Sequence, residues 1–213
     1  MILTVGNTKG GVGKSTISIN LAVEATKDGK KVLLIDADGQ ASSAGFFGER
    51  QNKDIEILLK PSAQLHKEVQ KLEKSFDLII IDAGGRDSSV FRSAIAACQY
   101  LLMPIQSGQF EVWAVEDTVK VLREIQPLTN LHARFVFSRV KDNTTILNET
   151  VELMNEVYAS DGKILSQRLH DRTVFAKSIS KGQGVSEFEP RGIAAQEIQA
   201  LYRVIMDEME ILK

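Results

Sequence analysis

Near the amino terminus the chain reads Lys9-Gly10-Gly11-Val12-Gly13-Lys14-Ser15-Thr16, and these residue types at this spacing bind phosphate. The glycines allow backbone N–H groups to turn inward around an anion, the start of a following helix adds the positive end of its dipole, and Lys14 reaches terminal phosphates. Ser15 is placed to ligate Mg²⁺ through its hydroxyl. The context fits this chemistry. The apolar run Ile2-Leu3-Thr4-Val5 leads in and a helical pattern from Ser15 to Lys27 leads out, which gives strand, loop and helix in order. Thr8 stands where the standard G-x-x-x-x-G-K-[ST] loop has its first glycine, and a second lysine, Lys9, precedes the glycine pair.

Two further segments supply acids. Leu33-Leu34-Ile35-Asp36-Ala37-Asp38-Gly39-Gln40 ends an apolar run in two aspartates, and Phe76-Asp77-Leu78-Ile79-Ile80-Ile81-Asp82 ends another in one. Open α/β sheets bind ligands at the carboxyl ends of their strands, so these acids are expected beside the loop. Asp82 would hold Mg²⁺, directly or through a water, where the metal bridges β- and γ-phosphates. The plainer reading of Asp36 and Asp38 is that they terminate a strand. Gly84-Gly85 could let a backbone N–H approach a γ-phosphate. The guanine-specific Asn-Lys-x-Asp pattern is absent, with Phe137-Ser138-Arg139-Val140-Lys141-Asp142 in its place, which favours adenine.

The deviant loop Lys-Gly-Gly-x-Gly-Lys-[Ser/Thr] resembles that of the ParA/MinD group of ATPases. The resemblance covers nearly the whole chain: Gln167-Arg168, Arg172 to Lys177-Ser178-Ile179, Gly182 to Val185 and Gly192 to Glu197 are similar to the short plasmid ParA proteins, including the ParF type. It implies that Lys9 reaches across a homodimer interface to the partner's nucleotide, acting with Lys14 and with Asp38, which faces the attacking water. It further implies that ATP lies on Lys9 to Thr16, that Ser15, Asp38 and Asp82 order Mg²⁺, and that Arg139 and Pro190 lie near the base. The family usually has proline where Gly39 stands, and often in the stretch around Gly84-Gly85. The implied task is DNA segregation: an ATP-driven sandwich dimer binds nonspecific DNA in the cytoplasm, on the nucleoid, until a centromere-bound partner of the ParB or ParG kind stimulates hydrolysis and release. The short relatives begin with the loop-bearing strand and lack a helix-turn-helix domain, so operator-specific repression is not expected of this chain.

Net charge is −2, which supplies no global field toward nucleic acid or anionic lipid, so any such binding needs a local patch. Between Lys163 and Arg191 there are six basic residues (Lys163, Arg168, Arg172, Lys177, Lys181 and Arg191) against three acidic ones, a local +3 that leaves −5 for the remainder. Phosphate contacts from such a patch are sequence-independent and salt-sensitive. A solvated basic face is the alternative. Lys163 and Arg191 lie closest to the family positions implicated in DNA contact.

The elements that must position these residues alternate. Apolar runs near Ile2–Gly6, Val32–Ile35, Leu78–Ile81, Tyr100–Pro104, Ala133–Ser138 and Lys163–Ser166 read as strands. Helical periods fall at Lys14–Lys27, Ala63–Lys74, Ser88–Gln99, Val112–Ile125, Thr145–Tyr158, Arg172–Lys181 and Ala194–Leu212. The pattern predicts an α/β fold, a mostly parallel sheet with helices on both faces, in one domain over residues 1–213. The stretch Gly45–Pro61 has room for a short extra strand. Cys98, the only cysteine, excludes an internal disulfide and is expected to be buried packing in a reducing compartment. No signal segment or membrane-length apolar run is read.

Missing features weigh against several relatives of the loop. The chain ends Met206-Asp207-Glu208-Met209-Glu210-Ile211-Leu212-Lys213, too acidic for a basic membrane-binding helix. One cysteine cannot supply the two per subunit that a shared iron–sulfur cluster needs. Tyr100, Tyr158 and Tyr202 are scattered and form no C-terminal cluster of the tyrosine-kinase kind. A DNA-partitioning ATPase, a nucleoid-tracking ATPase that positions a protein cargo, and, third, an ATP-dependent small-molecule ligase remain.

Overall fold

The computed structural model describes residues 1–38, 44–86, 88–141 and 144–212. Seven strands form one parallel sheet: β1 (Ile2–Gly6), β2 (Val32–Asp36), β3 (Ile55–Leu59), β4 (Leu78–Ala83), β5 (Tyr100–Ile105), β6 (His132–Val140) and β7 (Lys163–His170), in the order β3-β2-β4-β1-β5-β6-β7. The helices between them are α1 (Lys14–Lys27), α2 (Ala44–Glu49), α3 (Leu65–Leu72), α4 (Ser89–Ala97), α5 (Gln109–Ile125), α6 (Thr144–Tyr158), α7 (Thr173–Ile179), α8 (Val185–Phe188) and α9 (Ile193–Ile211).

Strand residues alternate between faces, and here both faces are apolar because both are covered. Ile2, Leu33, Ile35, Ile79, Ile81, Leu101, Met103, Phe135 and Phe137 pack under α3 to α6, and their neighbours Leu3, Val5, Leu34, Ile80, Leu102 and Val136 pack under α1, α8 and α9. Thr4 is the polar exception in β1, and its hydroxyl donates to the Ala94 carbonyl at 2.9 Å. Cys98 is buried in the first of these layers, as expected.

The strand order decides where a ligand sits. From β1 the chain moves to β2 and β3, returns to fill the slot at β4, and then crosses to β5 on the far side of β1. The reversal opens a crevice at the carboxyl ends of β1 and β4. Register brings Val5 opposite Asp82 and Asp36 opposite Asp82 at that edge.

Every expected strand exists, and the Gly45–Pro61 stretch holds the extra strand β3 at the sheet edge, with α2 before it. Most strands run further than their apolar cores: β2 includes Asp36, β4 reaches Ala83, β6 reaches Val140 and β7 reaches His170. Helix α5 begins three residues before the expected Val112, because its first turn carries exposed Phe110 and Trp113 where an apolar stripe would be sought. The expected helix at Arg172–Lys181 is shorter, and α8 follows it.

Arg50, just past α2, fixes that segment to the α7–α8 turn. Its side chain is 3% exposed, and its five N–H donors reach Asp54, Glu187 and the Gly182 carbonyl at 2.9–3.0 Å. Gly182 is left-handed at φ 63, and a Cβ there would lie 2.4 Å from the Arg50 nitrogen. Only glycine tolerates both constraints.

Candidate functional site

The phosphate loop spans from β1 to α1, and Gly13, left-handed at φ 89, caps the helix. Side chains from the neighbouring strand ends engage the loop's carbonyls. Ser138 Oγ donates to Val12 O at 2.6 Å, and Arg139 Nη1 and Gln106 Nε2 donate to Gly11 O at 3.0 and 3.3 Å. Because a trans peptide points its N–H opposite its carbonyl, the N–H groups of Val12 and Gly13 are left facing the other way, as an anion cradle requires. Ser15 and Thr16 follow in the first turn of α1 and line the same cavity as Gly10, Gly11, Gly13 and Lys14.

Lys14 is 7% exposed and its Nζ donates to the Lys9 carbonyl at 2.7 Å. Burial pulls its pKa below the ordinary lysine value, and the Asp82 and Asp38 carboxylates push the other way. Those same charges bring an ammonium and two acids to one crevice. Asp82, at the end of β4, is buried; Asp38, just past β2, is partly exposed and its N–H donates to Asp36 Oδ1 at 3.0 Å. Asp36 thus turns the chain so that Asp38 projects from the strand end. Asp38 lies against Gly84: a Cβ there would sit 2.8 Å from the Asp38 carboxyl carbon. Gly85 approaches the loop itself, with Thr8 O and Gly10 N each 3.4 Å from the position of an added Cβ. Gly39 and Gln40, and Asp142 further on, lie outside the described residues.

The donor set suits a small hard cation. A Ser15 hydroxyl and the Asp38 and Asp82 carboxylates are oxygen ligands of the kind Mg²⁺ takes one or two at a time beside phosphate oxygens and water. Among the described residues no group of three or more histidine, cysteine or carboxylate side chains could cage a metal alone. A cation held by these few side chains would take phosphate oxygens or water for the rest of its shell.

The cavity, about 1070 Å³, continues past the loop to the ends of β6 and β7, where Ser138, Arg139, His170, Asp171, Arg172 and Phe175 line it. Arg139 is the one non-glycine residue among those described with positive φ, at 51°, and strain of this kind concentrates at functional sites. Its guanidinium pairs with Asp171 at 3.4 Å. Glu197 of α9 accepts from Arg172 Nη2 at 2.9 Å and lies 2.8 Å from His170 Nδ1. Pro190 is exposed in the turn before α9 and is not among the residues that line the cavity. The β7–α7 residues His170, Asp171, Arg172 and Phe175 line it there. Of these, His170 and Asp171 escape the sequence reading, because the apolar run of β7 ends near Ser166, four residues short of the edge.

Lys9 has a carboxylate partner of its own. Its ammonium pairs with Glu111 in the first turn of α5, with the lysine 35% and the glutamate 18% exposed. Nothing in the local motif signals Glu111, which is 102 residues away.

The basic segment is divided. Lys177, Lys181 and Arg191 are exposed on α7, on the turn after it and before α9, while Arg168 is half-buried in β7 and Arg172 is tied to Glu197. Lys163 starts β7, in register with Arg134 at the amino edge of the sheet. Seven residues of strand, ~23 Å at 3.3 Å each, separate it from the cavity edge. It therefore does not join the patch expected of it.

Comparison with known proteins fits this geometry. Residues 3–185 match the model of the CobQ/CobB/MinD/ParA nucleotide-binding domain. Over 98% of its length the chain is 23% identical to the chromosome-partitioning ATPase Soj of Thermus thermophilus, covering 96% of that protein. It is 27% identical to the maintenance of carboxysome distribution protein A of Gloeobacter kilaueensis, with 98% and 94% of the two chains covered. The structure superposes on an ATP complex of a variant of McdA from Cyanothece with a TM-score of 0.79, at 16% identity over 96% of this chain and 95% of that one. Among the described residues no helix is long and apolar enough to cross a membrane. The chain belongs to the CobQ/CobB/MinD/ParA family of nucleotide-binding domains, as a P-loop ATPase of the ParA/MinD type.

Proposed function

We propose that this ATPase segregates DNA: two copies close on ATP and Mg²⁺, the closed pair holds nonspecific DNA, and a centromere-binding protein stimulates hydrolysis and release. The observation that carries this reading is the division of labour between the two loop lysines. Lys14 is buried toward Asp38 and Asp82, whereas the Lys9 ammonium is led out to Glu111 on the rim. A cation held at the rim serves its own cradle poorly and is available to phosphates presented by a second copy. When bound, Mg²⁺ neutralises charge on the β- and γ-phosphates, and Ser15 and Asp82 would hold it. Lys14 stabilises charge on the transferring phosphoryl group. Asp38, aimed by Asp36 and backed by Gly84, orients the attacking water.

Lys177, Lys181 and Arg191 are the DNA contacts of this reading, while Arg168 is half-buried in β7 and Arg172 is held by Glu197. Salt-dependent retention on duplex DNA, present with a slowly hydrolysed ATP analogue and absent with ADP, tests it. Replacing Lys177, Lys181 and Arg191 by glutamate is expected to abolish retention and keep the dimer. Equal retention by this variant at matched salt would remove the assignment. A second reading, in which the cargo is a protein assembly moved along the nucleoid, is favoured by the 27% identity to the carboxysome distribution protein. It predicts the same DNA retention but stimulation of hydrolysis by a cargo-bound adaptor and not by a centromere complex.

A further inference from the structure

Lys9 is held at three points. Its N–H donates to Asn7 Oδ1 at 2.8 Å, its carbonyl accepts from Lys14 Nζ at 2.7 Å, and its ammonium pairs with Glu111. Two of these lead to α5. Thr118 Oγ1 accepts from the Thr8 N–H at 2.9 Å and donates to Asn7 Oδ1 at 3.2 Å. Residues seven apart lie on one face of a helix, so the face that carries Glu111 and Thr118 fixes both the backbone under Lys9 and the end of its side chain. The backbone anchor sets the pivot, and Glu111 sets the direction in which the ammonium points.

We infer that Glu111 is a positioning residue for Lys9: it holds the ammonium of its own chain and must release it to the phosphates of a second copy, and so sets the nucleotide concentration at which two copies join. The inference rests on the reading of Lys9 as a residue that acts in trans. The exchange is feasible because a partly exposed ion pair is weak, whereas a triphosphate offers several negative charges to one cation. Loss of such a pair shifts an equilibrium by about 1.5- to 5-fold. A rival role exists for the same carboxylate, since an acid in the first turn of a helix favours its positive dipole end.

The test titrates a slowly hydrolysed ATP analogue, with Mg²⁺, into full-length wild type, E111Q, E111D and Lys9→Ala, and reads dimer formation by light scattering and folding by melting temperature. E111Q is expected to dimerise at a 1.5- to 5-fold lower analogue concentration than wild type. E111D keeps a negative charge at the helix end but is one methylene shorter and draws away from Lys9, so its midpoint is expected to fall as well. A role at the helix end alone predicts a wild-type midpoint for both variants and a lower melting temperature for E111Q only. That result, or a higher midpoint in E111Q, overturns the inference while leaving the trans reading intact, provided wild type dimerises and Lys9→Ala does not. A wild type that forms no dimer with the analogue overturns both.

Discussion

Gly84→Ala isolates the position of Asp38 from its chemistry. An added Cβ would stand 2.8 Å from the Asp38 carboxyl carbon and 3.0 Å from each of its oxygens. Carbon atoms in contact settle at about 3.5–4.0 Å, so the carboxyl group must retreat by roughly 0.7 Å or more. The obstacle is the end of a flexible side chain, and Gly84 is not left-handed, so the fold accommodates the methyl where Asp38 cannot stay. Displacing a catalytic group by ~1 Å costs about 10²-fold in rate, and a retreat of this size puts the expected loss of kcat at about 10- to 100-fold. Nucleotide affinity and melting temperature are expected to hold, because the cradle of Gly10 to Ser15 is not touched. Gly85→Ala is the internal control: its Cβ meets backbone at 3.4–3.5 Å, a tolerable contact, and is expected to change kcat less than threefold. Steady-state phosphate release and equilibrium binding of a fluorescent ATP analogue measure the two quantities. A Gly84→Ala enzyme with wild-type kcat would refute the role of Asp38 in positioning water, and a parallel loss of affinity would move Asp38 into the binding shell.

Other outcomes follow from the same contacts. Lys14→Ala removes the buried ammonium of the cradle and is expected to lower turnover by about 10²–10³-fold with loss of nucleotide binding, whereas Asp38→Ala keeps nucleotide and loses only hydrolysis; equal losses of affinity would refute the distinction. Gly182→Ala combines a left-handed backbone with a Cβ 2.4 Å from the Arg50 nitrogen, and urea unfolding is expected to show a loss of about 3 kcal/mol. A loss under ~1 kcal/mol would mean that the two loops separate easily. Cys98 is 5% exposed, and burial pushes its thiol pKa up to about 12, so at pH 8 only about one thiol in 10⁴ is ionised and native protein is expected to resist iodoacetamide that labels the guanidinium-unfolded chain.

What was legible in the sequence was whatever has a local cause. A strand buried on both faces is a continuous apolar run, and a phosphate loop is a fixed spacing of glycines between a strand and a helix, so β1, the loop and α1 were read to the residue. The same logic explains the errors. Strands β2, β4, β6 and β7 continue beyond their apolar cores because the carboxyl edge binds ligand, and residues there are polar for that reason: Asp36, Asp82, Arg139 and His170 all stand at strand ends. An apolar-run criterion therefore stops short at the functional residues. The start of α5 reads short for a different reason, since the apolar residues Phe110 and Trp113 in its first turn are exposed and mark no buried face.

Contacts that span the chain were not legible at all. Spacing identifies Lys9 as unusual, but its partner Glu111 comes from the far side of the β1 switch, and its backbone support Thr118 lies 110 residues from Thr8. Both meet the loop because β1 and β5 are adjacent strands, which brings the start of α5 to the same edge as the start of α1. Likewise Lys163 and Arg191 belong to one basic stretch of sequence, yet a strand runs the full height of the sheet between Lys163 and the rest. Charge summed along a chain measures a patch only where the segment turns back on itself, as it does from α7 to α9, and fails where it runs straight, as along β7.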